Sequence, residues 1–182
     1  MRFVSTRAAV AALSLAALAG CDGDGGTGSQ TLTPTDVGGV YQICSLTFTP
    51  EGGSPPPVDV RGRTMELNPV DPPVIRVGRQ DPSFQLEYTR KGDVIKPRVE
   101  GSYTLSSAGI ALGVGESSTA AGLLLPPRLQ LRYGRSPQTL RVDMIPYAVA
   151  RSAYERVAGQ QYPNARDQIV GTLDGVFSTA GC

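Results

Sequence analysis

Residues 83–105, SFQLEYTRKGDVIKPRVEGSYTL, decide the fold class. Phe84, Leu86 and Tyr88 alternate with Ser83, Gln85 and Glu87. A period of two puts one set on a single face of a pleated strand, so the segment reads as half-buried β-structure. Lys91-Gly92-Asp93 is a hairpin-like turn, and Val94 to Leu105 continues as strand with Tyr103 and Leu105 on one face.

The same grammar extends in both directions. Upstream, Val40, Ile43, Leu46 and Phe48 alternate imperfectly with polar residues, and PEGGSPPP (50–57) ends the segment. Asp59–Leu67 is expected to form a second strand, and Val74, Ile75 and Val77 a short third. Downstream, Ile110, Leu112 and Val114 mark a strand, and Glu116–Gly122 a loop. Leu129–Tyr133 and Leu140–Met144 alternate again. About eight short strands, each ended by Gly, Pro or Asp, predict a mainly β fold: an antiparallel up-and-down barrel or a sandwich. The end differs. Pro146–Gln161 (PYAVARSAYERVAGQQ) has helical spacing, with Tyr147, Ala150, Tyr154, Val157 and Ala158 near one face, and Gly159 and Pro163 end it. Gln168–Phe177 is expected to return as a last strand.

Composition excludes several chemistries. The chain has no histidine and no tryptophan. Histidine-dependent triads, dyads and zinc sites are therefore impossible, and the commonest general base is missing. No Gly-rich segment follows a strand and opens a helix, so nucleotide-binding fingerprints are absent. DGDGG (22–26) lacks the further ligands and terminal Glu of a calcium loop. No cofactor or metal is expected, and the chain reads as a non-enzyme. Arg61, Arg63, Arg76 and Arg79 are read as a solvated sheet face paired with Glu66, Glu87 and Glu100 rather than an anion site.

The first residues carry an address. Met1–Arg7 has two arginines and no acid, and Ala8–Leu18 is apolar except for Ser14. That run of about eleven residues is too short for the roughly 20 that cross a bilayer, and it suits a secretory leader. Leu18-Ala19-Gly20-Cys21 follows directly and resembles the lipobox of bacterial lipoproteins. The resemblance implies cleavage before Cys21, lipidation of its thiol and a membrane anchor in the cell envelope, facing the periplasm or the exterior. Residues 1–20 are then a signal peptide, 21–36 a lipidated cysteine and flexible tether (DGDGGTGSQTLTPTD), and 37–182 the β-rich domain. Without Arg2 and Arg7 the balance is 15 basic to 16 acidic residues, which argues against nucleic acid. Two cysteines then remain, Cys44 and the terminal Cys182. In an oxidising compartment they are expected to pair as a disulfide.

A second resemblance concerns the domain. Gly38-Gly39-Val40-Tyr41 opens the first strand, and Gly101-Ser102-Tyr103 recurs later. Both resemble the Gly-x-aromatic strand openings of lipocalin-like proteins, with Tyr where that family carries Trp. The resemblance implies a barrel whose glycine bends the strand at the base and whose aromatic plugs it. It also implies an anchored barrel that holds a small apolar molecule, with Tyr41, Phe84, Tyr88 and Tyr103 as candidate ligand-binding residues. The competing expectation is a structural or interaction lipoprotein whose aromatics fill the core and whose outer surface meets another protein.

Overall fold

The computed structural model describes residues 31–94 and 96–182. The expected leader, the expected lipidation site Cys21 and most of the expected tether lie outside the described residues.

The strands are β1 (Gly39–Pro50), β2 (Val58–Asp59), β3 (Val74–Val77), β4 (Ser83–Glu87), β5 (Arg98–Leu105), β6 (Gly109–Gly113), β7 (Arg128–Arg135), β8 (Gln138–Val142), β9 (Tyr147–Ala150) and β10 (Gln168–Ser178). Eight of them, β1-β3-β4-β5-β6-β7-β8-β10, form an antiparallel meander, and β1 pairs with β10 to close it into a barrel. Closure leaves no edge along most of the wall. The two short strands lie outside the ring: β2 pairs with β1 and β9 with β10. Of the four short helices described, α1 (Pro34–Val37) sits at one end, and α2 (Val60–Thr64), α3 (Ser118–Gly122) and α4 (Arg151–Ala158) gather at the other.

Period-two residues fill the interior. Phe84 and Leu86, Ile110 and Leu112, Leu129 and Leu131, and Leu140 and Val142 are buried, while Gln85, Ala111, Gln130 and Arg141 between them are exposed or half-buried. β1 breaks its own period. Its buried residues are Tyr41, Ile43, Leu46, Phe48 and Pro50, and its register against β10 shifts between Ile43 and Ser45. Cys44 is the extra residue of this bulge, which re-aims its side chain. The imperfect alternation therefore has a physical cause, but it assigns Tyr41 to the interior and leaves Val40 exposed, the reverse of the simple count. Cys44 and Cys182 form a disulfide with Cα atoms 5.2 Å apart.

Three elements differ from expectation. Residues 60–64 are helix α2 rather than strand, because the Asp59 side chain accepts from the Gly62 amide and caps a helical turn. Ser117 does the same for α3, accepting from the Ala120 amide where a loop was expected. The C-terminal helix is shorter than 146–161: Tyr147–Ala150 pairs with Gln168–Gly171 as strand, and only then does α4 begin. Gly159 ends it with φ 69°, a left-handed cap suited to glycine. β5 begins at Arg98, after Pro97.

The folded body also takes in the last part of the tether. Leu32 and Val37 are buried, and Thr33 and Asp36 form a reciprocal capping box around α1. All the contacts described lie within residues 31–182.

Candidate functional site

The four candidate aromatics do not share a cavity. Tyr41 closes the α1 end: its hydroxyl donates to the Val37 carbonyl at 2.6 Å. Tyr103 donates to the Gly78 carbonyl at 2.8 Å, in the β3–β4 turn at that same end. Phe84 packs where Gly101 leaves room for its ring. Tyr88 follows the other end of β4, four residues from Phe84, toward α2 and α3. All four are at most 3% exposed. Burial raises the phenol pKa of Tyr41 well above its ordinary value, and raises those of Tyr103 and Tyr88 as well. Tyr88 Oη is buried with no partner in good hydrogen-bond geometry among the described residues, and the Arg90 guanidinium is its polar neighbour.

The opposite end is sealed by a second aromatic group that the sequence did not single out. The Phe48 ring meets Tyr147 and Tyr154 edge-on, with centroids 5.5 and 6.0 Å apart, and Tyr154 meets Tyr162 at 5.6 Å. The Tyr147 hydroxyl donates to the Leu124 carbonyl, and that of Tyr154 to the Pro56 carbonyl. Burial raises both phenol pKa values, that of Tyr154 to about 12 with the Tyr162 ring adding to the effect. These bonds tie α4 and β9 to the α3 turn and the proline loop. The signal was present in the sequence as Tyr147, Tyr154 and Tyr162, but one long helix hid the strand–helix break between the first two.

Outside this seal lies a cleft of about 680 Å³ between residues 51–55 and 161–166, floored by Ile169 and Val170. α4 shapes its wall: Glu155 accepts from the Tyr162 amide at 2.7 Å, and Arg151 donates to the Ala165 carbonyl at 3.0 Å. The β1–β10 register stops at Pro50–Gly171, so the first residues of β10 lie beside the cleft with no β1 partner. Val170 is 42% exposed there. The two rims are more than a hundred positions apart in sequence, which is why no local pattern announced the cleft. The density of Pro and Gly in PEGGSPPP was its one trace.

The expected arginine cluster is dispersed. Arg61 donates to the Ile43 carbonyl and Arg79 to the Gly38 carbonyl, while Arg76 pairs with Glu87 at 3.3 Å. Glu87 also takes Arg98 at 3.0 Å. Among the described residues, no group of three or more Cys, Asp or Glu is arranged to hold a metal ion, and no helix is long and apolar enough to cross a membrane.

No protein-family model, no curated protein and no solved structure matches the chain.

Proposed function

We propose that the chain is a lipid-anchored, non-enzymatic lipoprotein of the cell envelope that acts through the outside of a filled barrel. The lipid on Cys21 holds it to the membrane, and a protein partner meets its outer surface. The observation that carries this reading is the occupied interior. The strands point large apolar side chains inward, α1 and Tyr41 close one end, and Phe48, Tyr147 and Tyr154 close the other. A ligand cup needs a mouth and several hundred cubic ångströms of vacant apolar space. The distal cleft, between two ordered loops and a short open strand edge, is the concave surface available to a partner. The small-molecule reading keeps one supporting observation, the poorly satisfied hydroxyl of Tyr88, which has Arg90 as its polar neighbour.

Native mass spectrometry of protein extracted from the envelope tests the choice. The expected spectrum is a chain carrying acyl mass at Cys21 and no other small molecule. A stoichiometric apolar compound that survives desalting and dissociates on collisional heating would reinstate the cup, with Tyr41, Phe84, Tyr88 and Tyr103 as its first candidates.

A further inference from the structure

The outer face of the β7–β8 hairpin carries more positive charge than its own acids neutralise. Arg128 and Arg132 project outward from β7, and Arg141 from β8. Arg132 and Arg141 are directly opposed in the ladder. Like charges in that position repel and destabilise the pair. Asp143 pairs with Arg132 at 2.7 Å, and Asp174 on neighbouring β10 pairs with none of the three. Arg128 reaches only the Thr104 hydroxyl at 3.5 Å, and Arg141 has no carboxylate within 4 Å among the described residues. This differs from the other wall, where Arg76 and Arg98 both spend their charge on Glu87.

Next to the arginines the wall is recessed. On this side β6 has only Ala111 and two glycines, the buried Gly109 and the exposed Gly113, paired with Gln130, Arg132 and Arg128. The result is a trough of about 490 Å³ bordered by Arg128 and by the Arg132–Asp143 pair, with Thr104 and Ser106 on its far side and Arg141 just outside it. Arginine forks match phosphate oxygens, and hydroxyls and an amide can take the remaining ones.

The position of this face relative to the tether points to the occupant. The tether enters at α1, and α1 rests on the same hairpin. The Asp36 carbonyl accepts from the Tyr133 hydroxyl at 2.7 Å and from the Gln138 amide at 3.2 Å. From Cys21 to Leu32 the chain spans at most about 40 Å. A lipid on Cys21 therefore keeps the arginine face within reach of the bilayer, and tethering makes a weak surface contact effectively intramolecular.

We propose that the outer face of the β7–β8 hairpin docks on anionic phospholipid headgroups, laying the barrel wall on the membrane that carries its anchor. The proposal rests on the lipoprotein reading for its geometry, but headgroup binding itself needs no anchor. The test uses the chain from residue 21 onward, unacylated as Cys21→Ser, which retains all the described residues. Its sedimentation is compared with vesicles of phosphatidylcholine and vesicles containing about a third phosphatidylglycerol. Binding is expected to be at least about tenfold stronger on the anionic vesicles and to weaken with salt. Arg128→Gln with Arg141→Gln is expected to lower it by roughly 25-fold, about fivefold per arginine. Arg76→Gln with Arg98→Gln removes the same charge from the ion-paired wall and is expected to change it less than about twofold. All four residues are exposed, so circular dichroism should be unchanged. Equal binding to both vesicles, or an equal loss in the two double variants, would overturn the proposal. So would displacement from anionic vesicles by soluble polyglutamate at a charge concentration where glycerol phosphate has no effect, which would assign the face to an acidic polymer. Whether Cys21 is acylated is read separately from intact mass, so loss of the anchor and loss of headgroup binding are distinguishable.

Discussion

At the scale of single residues, tyrosine does the work that tryptophan does in larger cores. Tyr41 and Tyr154 are fully buried, yet each hydroxyl reaches a backbone carbonyl at the barrel's end. A phenol suits this place because its ring fills apolar volume while its tip satisfies a carbonyl that a sheet cannot. Burial keeps these phenols neutral, with the Tyr154 pKa at about 12 and those of Tyr41 and Tyr147 also raised. In the unfolded chain they ionise near pH 10. The folded state then holds protons that the unfolded state has lost, so the stability they contribute is complete below about pH 10 and falls as pH rises toward 12. Phenolate absorbance should show Tyr41, Tyr147 and Tyr154 ionising above the ordinary phenol range. The buried group should ionise in one step together with loss of near-ultraviolet dichroism. A smooth titration of all seven tyrosines near pH 10 with the fold intact would contradict this assignment.

At the scale of elements, the barrel strands were legible because each pays its way with period-two burial. β4 and β7 show it without interruption: Phe84 and Leu86, then Leu129 and Leu131, lie inside, with polar residues between them outside. β1 was half-legible, since the bulge at Cys44 shifts the period within one strand. The helices were misread where a cap outweighed pattern. Val60, Gly62 and Thr64 alternate acceptably for a strand, but Asp59 offers its carboxylate to the Gly62 amide at 2.9 Å and starts α2. Asp59→Ala removes that acceptor and is expected to lower the urea midpoint by an amount worth about 1 kcal/mol, with Asp59→Asn restoring most of it. Equal loss in both variants would mean that the cap contributes through charge and not through the hydrogen bond. The cleft left only the Pro and Gly density of residues 50–57 as a trace, and the arginine trough left none. Each is assembled by pairing and packing between segments distant in sequence, and neither leaves a local period.

At the scale of the molecule, the barrel has two unlike ends and one seam. α1 lies at one end, and the three other helices described and the cleft occupy the far end. The seam joins the first barrel strand to the last, eight register pairs from Gln42–Ser178 to Pro50–Gly171. Pairing strands so far apart in sequence carries the largest loop-closure cost of any contact in the sheet. The disulfide lies at the α1 end of this seam, with Cys44 in the bulge of β1 and Cys182 just beyond β10, 138 positions away. Cross-linking the seam removes most of that closure cost from the unfolded chain, an effect of up to roughly 5 kcal/mol on the entropic account. Replacing both cysteines, as Cys44→Ala with Cys182→Ala, is therefore expected to lower the thermal midpoint by about 10 °C, at some 2–4 °C per kcal/mol for a domain of this size. Hydrogen exchange should place the loss at the seam: amides of Gln42 to Leu46 and of Gly175 to Ser178 should lose protection first, while the β4–β5 hairpin keeps its own. A variant that melts like the parent, or that loses protection evenly around the ring, would show that the eight ladder pairs hold the barrel closed unaided and that the bond is dispensable to the fold.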